Sequence, residues 1–233
     1  LAPTLLPQML PIGDVEEDEL FLTGFDQSSA LATLAPAISR AERLLLFTKI
    51  IMAKPIEYGI EKLAANQACY LAQELANLID TVHNQGLSFD RLTDLVPEEY
   101  AVHWQETLKF LQIITEYWPQ ILAERQLIDA SDRRNRLLRA QIDLWRQNPP
   151  VKRIVAAGTT AAFPLMKELV KTVLSLEKGE LYLAGIDKFL EDEAWEKIDE
   201  THPQHELKEL LDYLTVRRED IPDLQAPENF GRE

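Results

Sequence analysis

Apolar positions recur at three- and four-residue steps through most of residues 34–146, the spacing of one buried face of a helix. Leu34, Ile38, Ala41, Leu45 and the run Thr48–Met52 predict a helix over about 34–54, stopped by Pro55. A second helix is predicted over 56–83, with Leu63, Cys69, Tyr70, Ala72, Leu75, Leu78 and Ile79 on its buried side. Asn84-Gln85-Gly86 ends it, because glycine just past a helix accepts the left-handed stop. A short element, Asp90 to Leu95, precedes Pro97. There Pro97-Glu98-Glu99 make a good first turn for a third helix. That helix carries Leu108, Leu111, Ile114, Trp118 and Leu122, and Pro119 is expected to kink it. A fourth runs over 131–146, with Ser131 and Asp132 as its expected caps.

The pattern then changes. Arg153–Ala157 is a short β-type run, Gly158-Thr159-Thr160 a turn, Pro164–Leu176 a helix, and Glu180–Ala184 a second β-type run. This is a β-α-β unit, whose strands should be parallel. Two strands make a marginal sheet, so more neighbours are expected. Acidic helix and loop follow Asp187, with a further helix over 202–214 and a tail from Pro222 to Glu233. The fold class expected is mostly α with a small α/β part. Its three regions are an irregular entry segment over 1–33, a helical region over 34–150, and an α/β unit with an acidic helical tail over 151–233.

Pro3, Pro7 and Pro11 exclude a regular helix at the start, and Asp14–Glu19 reads as a solvated charge run. The opening at Leu1 gives the chain the look of a piece cut from a longer protein. Forty-six per cent of its 233 residues are apolar, enough for a sizeable core. The longest apolar stretch, Leu44–Ala53, is interrupted by Thr48 and Lys49 and is too short to span a bilayer. No secretory signal is visible. The single cysteine excludes an intrachain disulfide and fits a reducing cytoplasm.

A net charge of -15 argues against a surface that is nucleic-acid footprint throughout. Yet Arg133, Arg134, Arg136, Arg139, Arg146, Lys152 and Arg153 crowd one stretch. At three-residue steps Arg133, Arg136 and Arg139 are expected to share a helix face, with Leu137, Ile142 and Leu144 turned inward. Guanidinium groups in a row suit phosphates, and Trp145 suits base stacking. The competing reading is salt bridging to nearby acids.

Other chemistry is sparse. There is no P-loop motif. Gly158-Thr159-Thr160 lies between a strand and a helix, where anions bind, but a lone glycine is also the ordinary turn residue. His202 and His205 lack an obvious third metal ligand. Asp187, Glu191, Asp192 and Glu193 read as a solvated helix start, and Cys69 as a packed core residue.

Six phrases resemble the AddB family, the partner subunits of AddAB-type helicase–nucleases that process DNA double-strand breaks, in its alphaproteobacterial form. They are Leu10–Glu19 (LPIGDVEEDE), His103–Leu111 (HWQETLKFL), Trp118–Arg125 (WPQILAER), Arg133–Leu138 (RRNRLL), Val155–Thr160 (VAAGTT) and His202–Lys208 (HPQHELK). They stand in the family's order over about 7–220. The resemblance implies a partial RecA-like, degenerate helicase core carrying a helical insertion, here 34–150. Ala156, Ala157, Gly158 and Thr159 would occupy the strand end where a working motor keeps magnesium-binding acids. It implies a non-catalytic scaffold role within a catalytic parent. The expected partners are an AddA-type motor subunit and single-stranded or duplex-end DNA, with no membrane. ATP binding is not expected. The family's iron–sulfur cluster and nuclease domain fall outside this sequence. Two alternatives stand beside it: a helical protein–protein interaction module, and an α/β enzyme holding a phosphate ligand at Gly158-Thr159-Thr160.

Overall fold

The computed structural model describes residues 9, 34–53, 63–89, 107 and 109–224. Among the described residues the chain is mostly helical with one small two-stranded parallel sheet, and it divides into two compact units, Leu1–Leu144 and Trp145–Glu233. The expected element at Asp90–Leu95, the helix start at Pro97, the charge run at Asp14–Glu19 and residues 225–233 lie outside the described residues, as do Leu10–Glu19 and most of His103–Leu111.

In the first unit, α1 (Arg40–Ala53) packs along α2 (Ala65–Asn84). Helix α1 begins six residues later than its apolar pattern suggests. Pro36–Ile38 is instead extended and pairs in parallel with Ile128, through Ile38 N–H to Ile128 O (2.9 Å) and Ile128 N–H to Pro36 O (3.0 Å). The buried stripe of α1 is Arg43, Phe47 and Ile51, at four-residue steps, whereas Leu45 and Met52 face solvent. A cation occupies the first position of that stripe, so apolar spacing alone selected the wrong register. The buried stripe of α2 is Ala68, Ala72, Leu75, Ala76 and Ile79. Cys69, Tyr70 and Leu78 are exposed, contrary to expectation. Small side chains let the α1 backbone approach, which turns the larger neighbours on α2 outward. Gly86, at φ +65°, ends the helix as expected, with Leu87 N–H returning to Val82 O (2.9 Å).

Residues 109–112 are helical and lead into a π turn, Ile113–Tyr117, then α3 (Trp118–Arg125). Trp118 N–H reaches back five residues to Ile113 O. The widened turn ends one residue before Trp118 and two before Pro119, which cannot donate to the ladder and whose ring crowds the preceding turn. The expected distortion at Pro119 therefore takes the form of a π turn. Helix α4 (Ala130–Gln147) follows. Ser131 and Asp132 lie inside it rather than capping it, because Asp129 O already accepts from Arg133 N–H (2.9 Å). The core of this unit gathers Ile38, Phe47, Ile51, Ile79, Ile113 and Trp118, with the Phe47 and Trp118 rings 4.3 Å apart between centroids.

In the second unit, β1 (Ile154–Ala157) and β2 (Gly179–Tyr182) pair in parallel across α5 (Pro164–Ser175), in the register Ile154 to Gly179 through Ala157 to Tyr182. Leu165, Met166, Leu169, Val170 and Val173 form the buried face of α5, which packs on both strands and on α7 (His205–Leu214) through Leu207, Leu210 and Leu211. Gly179 permits the tight return from α5. A Cβ there would lie 1.7 Å from Val173 O. Between β2 and α7 lies a single helical turn and a half, α6 (Asp192–Glu196). Helix α7 starts at His205, three residues after the expected His202, since Pro203 and its neighbours form turns ahead of it.

Candidate functional site

The basic stretch lies on α4, which starts in the first unit. Successive residues on an α-helix turn by about 100°, so three-residue steps drift by about 60° each. Arg133, Arg136 and Arg139 therefore cannot hold one face. Arg133 is buried, 6% exposed, and its Nε donates to Ala35 O at 3.2 Å. Arg136 is exposed and pairs with Asp132 at 2.8 Å. Arg139 is exposed, with no carboxylate paired to it among the described residues. Arg134 is half-buried and bonds to Asn84 Oδ1. Leu137 and Ile142 point inward as expected, and Leu144 and Trp145 are partly buried.

The inner side of α4 ties down the end of α2. Ser131 Oγ stands 2.8 Å from His83 Nδ1, and Asn135 Nδ2 donates to His83 O at 2.7 Å. Helix termini leave carbonyls without intrahelical partners, and Asn135 supplies a donor to one of them.

Beneath this contact sits a buried polar group that sequence reading missed. Arg43 Nη1 lies 2.9 Å from Asp80 Oδ1 and 3.2 Å from Asp129 Oδ1, while its Nη2 donates to Ala76 O at 2.7 Å. Asp129, 2% exposed, also accepts from Trp118 Nε1 at 2.8 Å. A buried charge persists only when paired and hydrogen-bonded. The readable signal was Arg43 standing four residues before Phe47 on an apolar stripe.

On the second unit Arg146 and Arg153, from the same basic stretch, are held by acids. Arg146 pairs with Glu168 at 2.8 Å. Arg153 bonds Glu180 and the Tyr182 hydroxyl, which itself donates to Glu180 Oε2 at 2.7 Å. Hydrogen bonds from Arg153 and then Tyr182 hold the Glu180 carboxyl below its ordinary range. The bond to Glu180 holds the Tyr182 hydroxyl above its own.

The strand end at Ala156, Ala157, Gly158 and Thr159 carries methyl groups, a left-handed glycine at φ +68° and one hydroxyl. Gly158 N–H donates to Tyr182 O at 3.0 Å, and Thr159 Oγ1 accepts from Ala161 N–H at 3.0 Å. Strand, turn and helix follow one another as expected, with the helix starting at Pro164. Ala161–Phe163 separate Thr160 from α5, and Thr160 Oγ1 bonds the carboxylate of Glu206. A carboxylate at that point repels a phosphate.

Of the acids after β2, Glu191, Asp192 and Glu193 stand exposed at the start of α6, as expected, and Asp187 holds a turn. Asp187 Oδ1 accepts from Phe189 N–H (2.8 Å) and Leu190 N–H (3.0 Å), and Asp192 pairs with Arg218 at 2.5 Å. His202 Nδ1 accepts from Gln204 N–H, and His205 Nε2 lies 3.6 Å from Glu209. Among the described residues no three His, Cys, Asp or Glu side chains stand close enough to share a metal ion, and no helix is long and apolar enough to cross a membrane.

Compared with protein-family models, with curated proteins and with solved structures, the chain matches none of them.

Proposed function

We propose that the chain is a non-catalytic scaffold in an AddB-type subunit of a cytoplasmic helicase–nuclease that processes DNA double-strand breaks. In this reading it packs against an AddA-type motor subunit and touches single-stranded or duplex-end DNA through the outer side of α4. The observation that carries it is the end of β1. A parallel β-α-β unit here runs out in Ala156, Ala157, Gly158 and Thr159, where a phosphoryl-transfer site of this build needs carboxylates to hold magnesium and orient water. The six phrases that stand in the family's order over about 7–220 add to this, and so does the exposure of Arg136 and Arg139. Arg133 drops out of the contact set because its guanidinium is engaged inside, and Arg134 sits deeper than the other two.

The test is fluorescence anisotropy with labelled single-stranded DNA at low and high salt. Affinity should fall steeply with salt, and Arg136→Ala/Arg139→Ala should flatten that slope by about two phosphate contacts. Binding that is salt-independent, or unchanged in the double variant, removes DNA contact from the reading.

A further inference from the structure

Among the described residues the sheet of the second unit stops at two strands. Two strands alone are marginal, and parallel strands are ordinarily covered on both faces. Here α5 packs on one face, where Ala156 is buried, while Val155 is 45% exposed and Ala157 is exposed on the other. Along β1 the backbone groups alternate in direction. Ile154 N–H donates to Lys178 O (3.1 Å) and Gly158 N–H to Tyr182 O (3.0 Å), both towards β2. The N–H and C=O groups of Val155 and Ala157 therefore point away from β2, and among the described residues no strand pairs with that edge.

A free edge is a template for pairing, and folded proteins blunt theirs with charge, proline or a bulge. Ile154–Ala157 carries none of these. The nearest cation, Arg153, is drawn towards β2, to Glu180 and Tyr182. The edge of β2 is less open: the strand carries Glu180, and Gly179 N–H is already bonded to Leu176 O (3.1 Å). The edge of β1 also matches itself. Turned about a two-fold axis through Ala156, a second β1 runs antiparallel, and Val155 comes opposite Ala157 of the other copy. Residues paired in this way exchange both of their hydrogen bonds, so the outward groups of the two copies satisfy one another. The larger side chain of each pair meets the smaller, and Arg153 falls opposite Thr159 rather than opposite another charge.

We propose that two copies of this chain pair edge to edge through β1, giving one continuous sheet in the order β2-β1-β1-β2. A contact of this kind uses the same patch on both copies and closes at two. The inference concerns the second unit by itself and does not depend on the AddB-type reading. The net charge of -15 on each copy opposes close approach. Salt screens that repulsion, so the pairing should strengthen as salt is added, the reverse of a contact held by ion pairs.

The test is the mass of the full 233-residue chain in solution, measured by sedimentation velocity and light scattering across a wide range of concentration at low and high salt. The expected result is a reversible equilibrium between one copy and two, with the paired fraction rising with both concentration and salt. Val155→Pro removes an N–H that the single copy does not use, and an edge strand accepts proline at such a position. That variant should fold, which circular dichroism checks, and should weaken pairing about tenfold or more, because the axis removes the bond twice. Ala157→Lys keeps the backbone donor and places a charge on the edge, and it should weaken pairing as well. Phe189→Ser, at an apolar side chain 98% exposed elsewhere on the same unit, should leave pairing unchanged. Amide exchange should show Val155 and Ala157 protected in the pair and released on dilution. A chain that stays single at the highest concentration overturns the proposal, as does a pair that both β1 variants leave intact, that Phe189→Ser dissolves, or that salt weakens. Protection of Val155 and Ala157 in the single copy overturns it too, since the edge is then covered by the chain itself.

Discussion

At the centre of the first unit lie a guanidinium, a carboxylate and an indole N–H; at the centre of the second lie leucine and valine. Arg43 and Asp129 have side chains 7% and 3% exposed, and they meet under the Phe47–Trp118 ring pair. The second unit also buries an arginine, Arg218, which stacks 5.0 Å over Trp195. Its carboxylate partners, however, are at the surface, with Asp192 91% and Glu219 54% exposed. The difference decides what each unit tolerates. A desolvated ion pair is weak evidence of net stability, yet removing one partner strands the other charge in a medium that cannot solvate it. An aliphatic core has no such liability, but it depends on close approach, and the α5–β2 return has no spare space. The first unit should therefore fail when a polar group is deleted, and the second when an atom is added.

The largest effect should come from Asp129→Ala, which leaves Trp118 Nε1 without its acceptor and Arg43 without its buried counterion. A loss of about 3–5 kcal/mol is expected in urea unfolding. Hydrogen exchange should localise it to peptides of Leu1–Leu144. An equal loss of protection on α5 would mean the units do not respond separately. Next comes Gly179→Ala, which puts a methyl group into the Val173 carbonyl. It should cost about 2–3 kcal/mol, read on α5 and α7 peptides, with α1 and α2 protected as before. The smallest effect concerns the surface of the second unit. Lys167 lies 2.7 Å from Glu209 and holds that carboxyl below its ordinary range. A lowered folded-state value contributes stability that is present above the ordinary carboxylate range and is lost as pH falls through the folded value. Lys167→Met should cost under about 1 kcal/mol at neutral pH, and the difference should vanish on acidification. Because His205 is also close to Glu209, the comparison is cleanest in a His205→Gln background. A deficit that persists at low pH would point to lost packing of the Lys167 stem.

The second unit was the more legible of the two in the sequence, for the same physical reason. Its elements announce themselves by apolar periodicity, by Pro164 at a helix start and by the parallel strands that a β-α-β pattern requires. In the first unit the helices were legible and their faces only in part: Ala72, Leu75, Ile79, Ile114, Trp118, Leu137 and Ile142 are buried as expected, while the face of α1 is not the expected one. Arg43 occupies a position that periodicity reserves for an apolar residue. The alanines of α2 bury more completely than its Tyr70 and Leu78, because close backbone approach rewards small side chains. The basic run on α4 was visible as composition. Its division into an inner arginine, Arg133, and outer ones, Arg136 and Arg139, follows from the 60° drift of three-residue steps.

The pairing of Ala37 with Ile128, reinforced by Arg133 reaching an acceptor 98 positions back at Ala35, sets the order in which this protein can be made. Synthesis runs from the amino end, so the strand that leads into α1 waits for its companion until most of the first unit has been translated. Closing a loop of that length carries an entropy cost that nearby contacts cannot offset early. On the ribosome, α1 and α2 would first meet as a loose helical pair. The entry to α1 would lock only as α4 emerges, making that short parallel bridge the last clasp of the unit to fasten.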